Sequence, residues 1–287
     1  MSNSQLELPQ GRYGLHLENH DINDKKIKIE KIKPLKDVTL QEHFPPVWDQ
    51  NGRATSTAQA IAAVIEYEQV RKGLRVTPIS RIYLQLLGRG GIRKTLKMVN
   101  KQGAIAEKLL PYDMMPPYPE LESLRERDRM YIGHLEYTRV PSDIDVVKMV
   151  LSTGIPIIFG YDIYESFHKR GLWNNDGLMP LPKKGERYLA THTGVILGYS
   201  RKKKAVIVRN SWGPQWKNGG HFFLPYSYLM SKSCGTLWTL DIKKEQFFEN
   251  VVEGSREKAS RAPVSESESE SEPGDVTIDL DGCKIVE

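Results

Sequence analysis

The chain has 287 residues, 41 Lys and Arg against 36 Asp and Glu, 39% apolar residues and two cysteines. That apolar fraction over that length suits one large domain or two small ones and excludes a chain disordered throughout. Cys234 and Cys283 are too few for a disulfide framework or a Cys-rich zinc centre, and read as free thiols in a reducing compartment. The net charge of +5 hides an asymmetry. Residues 265–287 hold eight acids and one lysine, a net −7, which leaves +12 on residues 1–264. No run approaches the roughly 18 apolar residues of a membrane span. Met1–Gln5 carries neither the basic nor the apolar region of a secretion signal.

In chain order, residues 21–36 alternate Lys with Ile, a pattern that predicts a strand with a charged face. A basic nucleic-acid arm is the weaker reading, because no aromatic residues interleave for base stacking. The prolines of 44–50 predict an extended segment. Ser56–Arg71 is rich in Ala, Ile, Val and Glu, lacks Gly and Pro, and stops before Gly73. It predicts a helix buried on several sides, with Thr55 or Ser56 as its N-cap. Helical patterns recur near 78–87, 91–101, 119–130 and 143–153. Residues 157–164, 193–200, 205–210, 221–227 and 236–242 are rich in β-branched and aromatic residues and predict strands. A hairpin turns through Arg201–Lys204. Helices first and strands second predict an α+β fold of two subdomains rather than alternating βαβ units. The SESESESEP run within 246–287 predicts disorder for part of that stretch.

Seven histidines offer bases near neutral pH. His16, His20, His43, His134, His168 and His221 form no metal-ligand spacing and read as surface or hydrogen-bonded residues. His192 opens the apolar strand THTGVILGY. Eighteen residues later the next strand ends in Asn210-Ser211-Trp212-Gly213. Adjacent antiparallel strands would bring His192 to Asn210, whose amide would fix the ring's tautomer and orientation, with Trp212 shielding the bond from water. Upstream, Ser56 sits at the head of the strongest helix, and a helix N-terminus favours a thiolate or an oxyanion.

With these residues in view, the sequence resembles the papain-like cysteine peptidases, in particular their compact members from bacteria and large DNA viruses. That subgroup's segment, roughly P-V-x-D-Q-G-x-L-G-S-C-T-A-x-A, corresponds to PPVWDQNGRATSTAQA (45–60). NSWGPQWKNGGHF (210–222), ATHTGVIL (190–197), FGYDIYESF (159–167) and EKLLPYD (107–113) also match, so the resemblance covers about residues 11–242. It implies a helical left subdomain and an antiparallel, barrel-like right subdomain with a groove between them. The corresponding division is an extended arm at 1–45, a helical subdomain at 46–130, a β-rich subdomain at 131–245 and an acidic tail at 246–287. The resemblance makes Gln50 the oxyanion amide, His192 the base, Asn210 its orienter and Trp212 the shielding indole. Trp212, Thr191 and Ala54 would line the substrate groove. It implies no metal and no cofactor.

The departures lie at 53–56. The nucleophile position holds Ser56, the preceding Gly-Ser is Ala54-Thr55, and the Leu is Arg53. A thiol pKa near 8.5 can be drawn down to give a thiolate–imidazolium pair, whereas an alcohol must lose its proton during attack. Serine peptidases manage this with a carboxylate behind the histidine; here the residue behind it is the neutral Asn210. Peptide hydrolysis by Ser56 is therefore expected to be lost or slowed by at least about 10³-fold. Three readings stand: a natural pseudopeptidase, a catalytically dead laboratory variant of an active endopeptidase, and a slow serine hydrolase. A pseudopeptidase would still bind extended peptide, or serve as a structural or scaffold component among virion proteins. The expected location is intracellular, cytoplasmic or virion-associated. Neither a membrane nor nucleic acid is the expected partner. GRGGIRKT (88–95) lacks phosphate-loop spacing and reads as turn plus helix. GGH (219–221) reads as a strand entry, IDLDG (278–282) lacks the rest of a calcium loop, and Asp162 and Glu165 read as rim residues.

Overall fold

A computed structural model describes residues 21–247, apart from 30–31, 115–123, 125–129, 133, 170–172 and 174–175. The first layer is helical: α1 (Ser56–Arg71), α2 (Arg81–Gly88) and α3 (Ile92–Gln102). The second is an antiparallel sheet built from β1 (Val38–Thr39), β4 (Glu136–Val140), β5 (Ile157–Tyr164), β6 (Tyr188–Ser200), β7 (Ala205–Arg209), β8 (His221–Pro225) and β9 (Cys234–Asp241). Its strands run in the order β4-β9-β5-β6-β7-β8, with β1 added on β6. A smaller ladder pairs β2 (Ala104–Ile105) with β3 (Met130–Ile132). Short helices α4 (Ile144–Ser152), α5 (Glu165–His168) and α6 (Tyr226–Leu229) connect strands.

Helix α1 occupies the junction of the two layers. Every residue from Ser56 to Gln69 is buried, as its Ala-rich, uninterrupted sequence predicts. Small side chains let strands and helices approach it from several sides, and Tyr67 Oη reaches across to donate to Gly154 O at 2.7 Å. The cap differs from expectation. Thr55 stands at the N-cap but makes no side-chain capping bond. Its hydroxyl pairs with Tyr112 Oη at 2.7 Å, a partner 57 residues away. Elsewhere caps follow local rules: Ser80 Oγ accepts from Tyr83 N–H to start α2, and Asp143 from Asp145 and Val146 N–H to start α4.

The turn at Arg201–Lys204 joins β6 to β7 as expected, with Lys204 in the left-handed region at φ 48°. The strand expected over 21–36 does not form among its described residues. Only a bridge links Lys26 to Arg139, with Ile27 N–H on Arg139 O at 2.9 Å. β9 already pairs all five residues of β4 on its other side, and Pro34 cannot donate to a ladder. The chain instead pairs later, through β1, whose Val38 lies opposite Tyr199. That pairing depends on Gly198, where a Cβ would sit 2.3 Å from Val38 O. The helix expected at 119–130 falls almost wholly outside the described residues, as do His16, His20, Cys283 and the tail. Among the described residues no helix is long and apolar enough to cross a membrane.

Candidate active site

The site lies where the head of α1 meets β6. Ser56 begins α1, and its Oγ accepts the backbone N–H of Thr193 at 3.3 Å. Thr57 Oγ1 donates to Gly90 O at 2.7 Å and lies 2.9 Å from Thr193 Oγ1. These contacts hold the positive end of the helix against the residue that follows His192.

β6 and β7 pair with Val195 opposite Arg209, so Asn210 leaves β7 level with the middle of β6, close to His192. His192 Nε2 lies 2.8 Å from Asn210 Oδ1. The same oxygen accepts the backbone N–H of Ser211 at 2.8 Å, and since an N–H only donates, the atom facing the ring is the amide oxygen. His192 therefore carries its proton on Nε2 in this bond, and in the neutral ring Nδ1 is the basic nitrogen. Trp212 packs on the imidazole with ring centroids 5.2 Å apart, and Tyr161 meets it edge-on at 5.6 Å. His168 stacks on the Trp212 ring at 5.9 Å. Ser56 is 3% exposed, His192 0% and Asn210 3%, so the hydrogen bond runs in a water-poor, low-dielectric setting.

Gln50 is tied to the same corner. Its N–H donates to Ser211 O at 2.8 Å, its Oε1 accepts from Ser211 Oγ at 2.6 Å, and its Nε2 donates to Arg53 O at 2.6 Å. Asn51 and Gly52, at φ 45° and 75°, reverse the chain between Gln50 and the helix. Ala54 lies in the short turn closed by Thr55 N–H on Arg53 O at 2.9 Å. Thr191 points to the face of β6 opposite His192, as alternate strand residues must. Its hydroxyl donates to Asp162 Oδ1 at 2.8 Å and lies 3.0 Å from Tyr188 Oη. Burial raises the Asp162 carboxyl, and the Thr191 bond works against that rise.

A buried charge cluster supports the segment leading to Gln50. Arg81 Nη2 lies 3.0 Å from Glu66 Oε1, and its guanidinium stacks over the Trp48 ring at 3.8 Å. Arg209 donates to Pro45 O and Pro46 O, both at 2.8 Å. Burial pushes the Glu66 carboxyl up against the pull of Arg81, and lowers Arg209 to about 10. His221, read from sequence as an ordinary histidine, is buried at the start of β8, and burial with the nearby Arg209 pushes it down to about 4.

Thr57, Thr193, Ser211 and Tyr112 also belong to the site, although no motif in the sequence marks them individually. Tyr112 Oη donates to Gln50 O at 2.8 Å, and the EKLLPYD stretch that carries it was the one available signal. The others are common polar residues beside the site residues, and only their partners distinguish them. Among the described residues no three His, Cys, Asp or Glu side chains group to hold a metal.

A central helix aimed at a strand-borne His–Asn pair, with a buried Gln alongside, defines a papain-like two-layer fold. The sequence profile of the papain family cysteine proteases matches residues 88–238, more than half the chain, and the chain belongs to that family. The matched span includes His192 and Asn210; Gln50 and Ser56 precede it. The chain is 26% identical over 219 residues to an uncharacterized peptidase C1-like protein, L477, of Acanthamoeba polyphaga mimivirus, covering 69% of this chain and 70% of that one. Among solved structures it is similar to xylellain, a cysteine protease from Xylella fastidiosa, at TM-score 0.69 and 26% identity, over 82% of this chain and 97% of xylellain. The fold also matches procathepsin B of Trypanosoma congolense at TM-score 0.62 and 14% identity, over 80% and 87% of the two chains.

Proposed function

We propose that this chain is a proteolytically inactive papain-family member in which Ser56 stands at the nucleophile position, and that it acts by binding an extended peptide or protein segment. The observation that carries the reading is the hydroxyl of Ser56 at the head of α1, bonded beside a histidine whose orienting partner is the neutral Asn210. An alcohol needs its proton removed during attack, and an imidazolium formed here would face an amide dipole rather than a carboxylate. Gln50, His192, Asn210 and Trp212 remain as the oxyanion amide, base, orienter and shield of the ancestral reaction. Ala54, in the turn before α1, would border an extended peptide, whereas Thr191 faces away from His192 onto Asp162.

The test compares the purified chain with Ser56→Cys on a mixed peptide pool and with a thiol-directed covalent probe. No cleavage by the unaltered chain, with thiol labelling at position 56 in the variant, is the expected result. Cleavage by the unaltered chain that Ser56→Ala abolishes would overturn it in favour of a serine hydrolase.

A further inference from the structure

Two basic runs stand 165 or more residues apart in sequence, at 25–36 and at 201–204. The fold joins them. Arg201 Nη2 donates to Pro34 O at 3.0 Å, and Arg201 N–H donates to Asp37 Oδ1 at 2.6 Å. Lys33 and Lys36 flank that contact and are exposed, as are Arg201, Lys202 and Lys204. Lys148 of α4 borders the same surface, which encloses an open depression of about 660 Å³ lined by Pro34, Asp145, Lys148, Arg201, Lys204 and Tyr226. Some of this charge is answered locally: Lys148 pairs with Asp145 at 3.3 Å and Lys203 with Asp176 at 2.6 Å. Among the described residues Lys33, Lys36, Lys202 and Lys204 form no ion pair.

The topology also says which anion is nearest. β6 and β9 both run antiparallel to β5, with Ile157 opposite Ile196 and Ile158 opposite Trp238. The β6–β7 turn and the end of β9 at Asp241 therefore lie at the same end of the sheet. His192 lies toward the other end, opposite Tyr161, which in turn faces Cys234 at the start of β9. β4 starts opposite Asp241, and after β9 the chain runs on to Phe247, which bridges Ile132, four residues ahead of β4. β4 and β6 are three strand spacings apart, about 14 Å. Residues 248–264 then lead to the −7 segment, and 17 residues reach at most about 60 Å.

We infer that residues 265–287 dock on this composite basic surface of the same chain. Tethering makes the encounter intramolecular, at an effective concentration of order millimolar, so modest charge pairing suffices to populate it. The attraction is between exposed charges and weakens as salt shortens the screening length. Docking at the end of the sheet remote from His192 leaves the candidate active site uncovered.

The tail supplies its own probe position in Cys283, and Cys234→Ser leaves it the single thiol. A nitroxide on Cys283 of the full chain is read by amide relaxation in ¹⁵N-labelled protein. At about 0.1 M salt the signals of 201–204, Lys148 and Tyr226 should fall below about half their diamagnetic intensity, and recover near 1 M salt. Lys36→Glu with Lys202→Glu should restore them at low salt. Unbroadened signals at low salt would overturn the inference. So would broadening seen only when spin-labelled, unenriched chain is mixed with unlabelled ¹⁵N chain, since the surface would then serve a second copy. Perturbation of the same amides by a short DNA duplex, with no effect from the spin label, would assign the surface to nucleic acid instead.

Discussion

Ser56 Oγ accepts the backbone N–H of Thr193, the residue next to His192. A single side-chain hydroxyl thus joins the helical layer to the sheet at the centre of the site. Ser56→Ala leaves that buried N–H without its acceptor and is expected to lower the unfolding free energy by about 1 kcal/mol in a urea titration. Ser56→Cys keeps a weak acceptor and should lose less. Equal stability of all three chains would show that the bond contributes nothing.

Asn210 fixes the imidazole through an oxygen that also holds Ser211. Asn210→Ala removes both bonds in a buried place, and a loss of about 1–3 kcal/mol is expected. The ring also loses the partner that selects its tautomer. ¹⁵N shifts of His192 should move from a single Nε2–H form toward a mixture, a change a purely structural role for Asn210 would not produce.

Arg81 and Glu66 form an ion pair with both side chains 1% exposed. Removing one member strands the other, so Arg81→Met is expected to destabilise by about 3–5 kcal/mol, and Arg81→Met combined with Glu66→Met to recover most of that loss. Because Arg81 also stacks on Trp48, the single variant should alter tryptophan fluorescence before global unfolding. A double variant no more stable than the single one would refute the pairing argument.

His221 is held down to about 4 by burial and by Arg209. Between that value and its ordinary 6.5, the unfolded chain binds a proton that the folded chain does not, so stability rises with pH across this window. Acidification from pH 7 to pH 4 should cost about 3 kcal/mol through this residue. His221→Gln should flatten the difference in Tm between pH 4 and pH 7; an unchanged slope would place the acid sensitivity elsewhere.

Gly198 allows β1 to lie on β6, since a Cβ there would come within 2.3 Å of Val38 O. Gly198→Ala is expected to cost about 1–3 kcal/mol, as overpacking does. Hydrogen exchange at Leu40, whose N–H bonds Leu197 O at 2.8 Å, should accelerate in step.

Elements whose signals lie among near neighbours are legible in the amino-acid order. Ser56–Arg71 is helical because its sixteen residues are rich in good helix formers and include no Gly or Pro, and Ile157–Tyr164 is a strand because β-branched and aromatic residues dominate it. The meeting of His192 with Asn210 was legible too, because a four-residue hairpin turn leaves little choice of partner strand. Where polar groups spend their bonds follows from the fold and not from local pattern. The fold turned the Thr55 hydroxyl from its helix to Tyr112, turned Thr191 toward Asp162, and kept Lys26–Ile27 to a bridge on β4. It made His221 a buried neutral ring and gathered Lys33, Lys36 and Arg201–Lys204 on one surface. Propensity and periodicity are summed over a few adjacent residues. Burial, ionisation and hydrogen-bond choice depend on groups brought together from across the chain, and no local pattern records them.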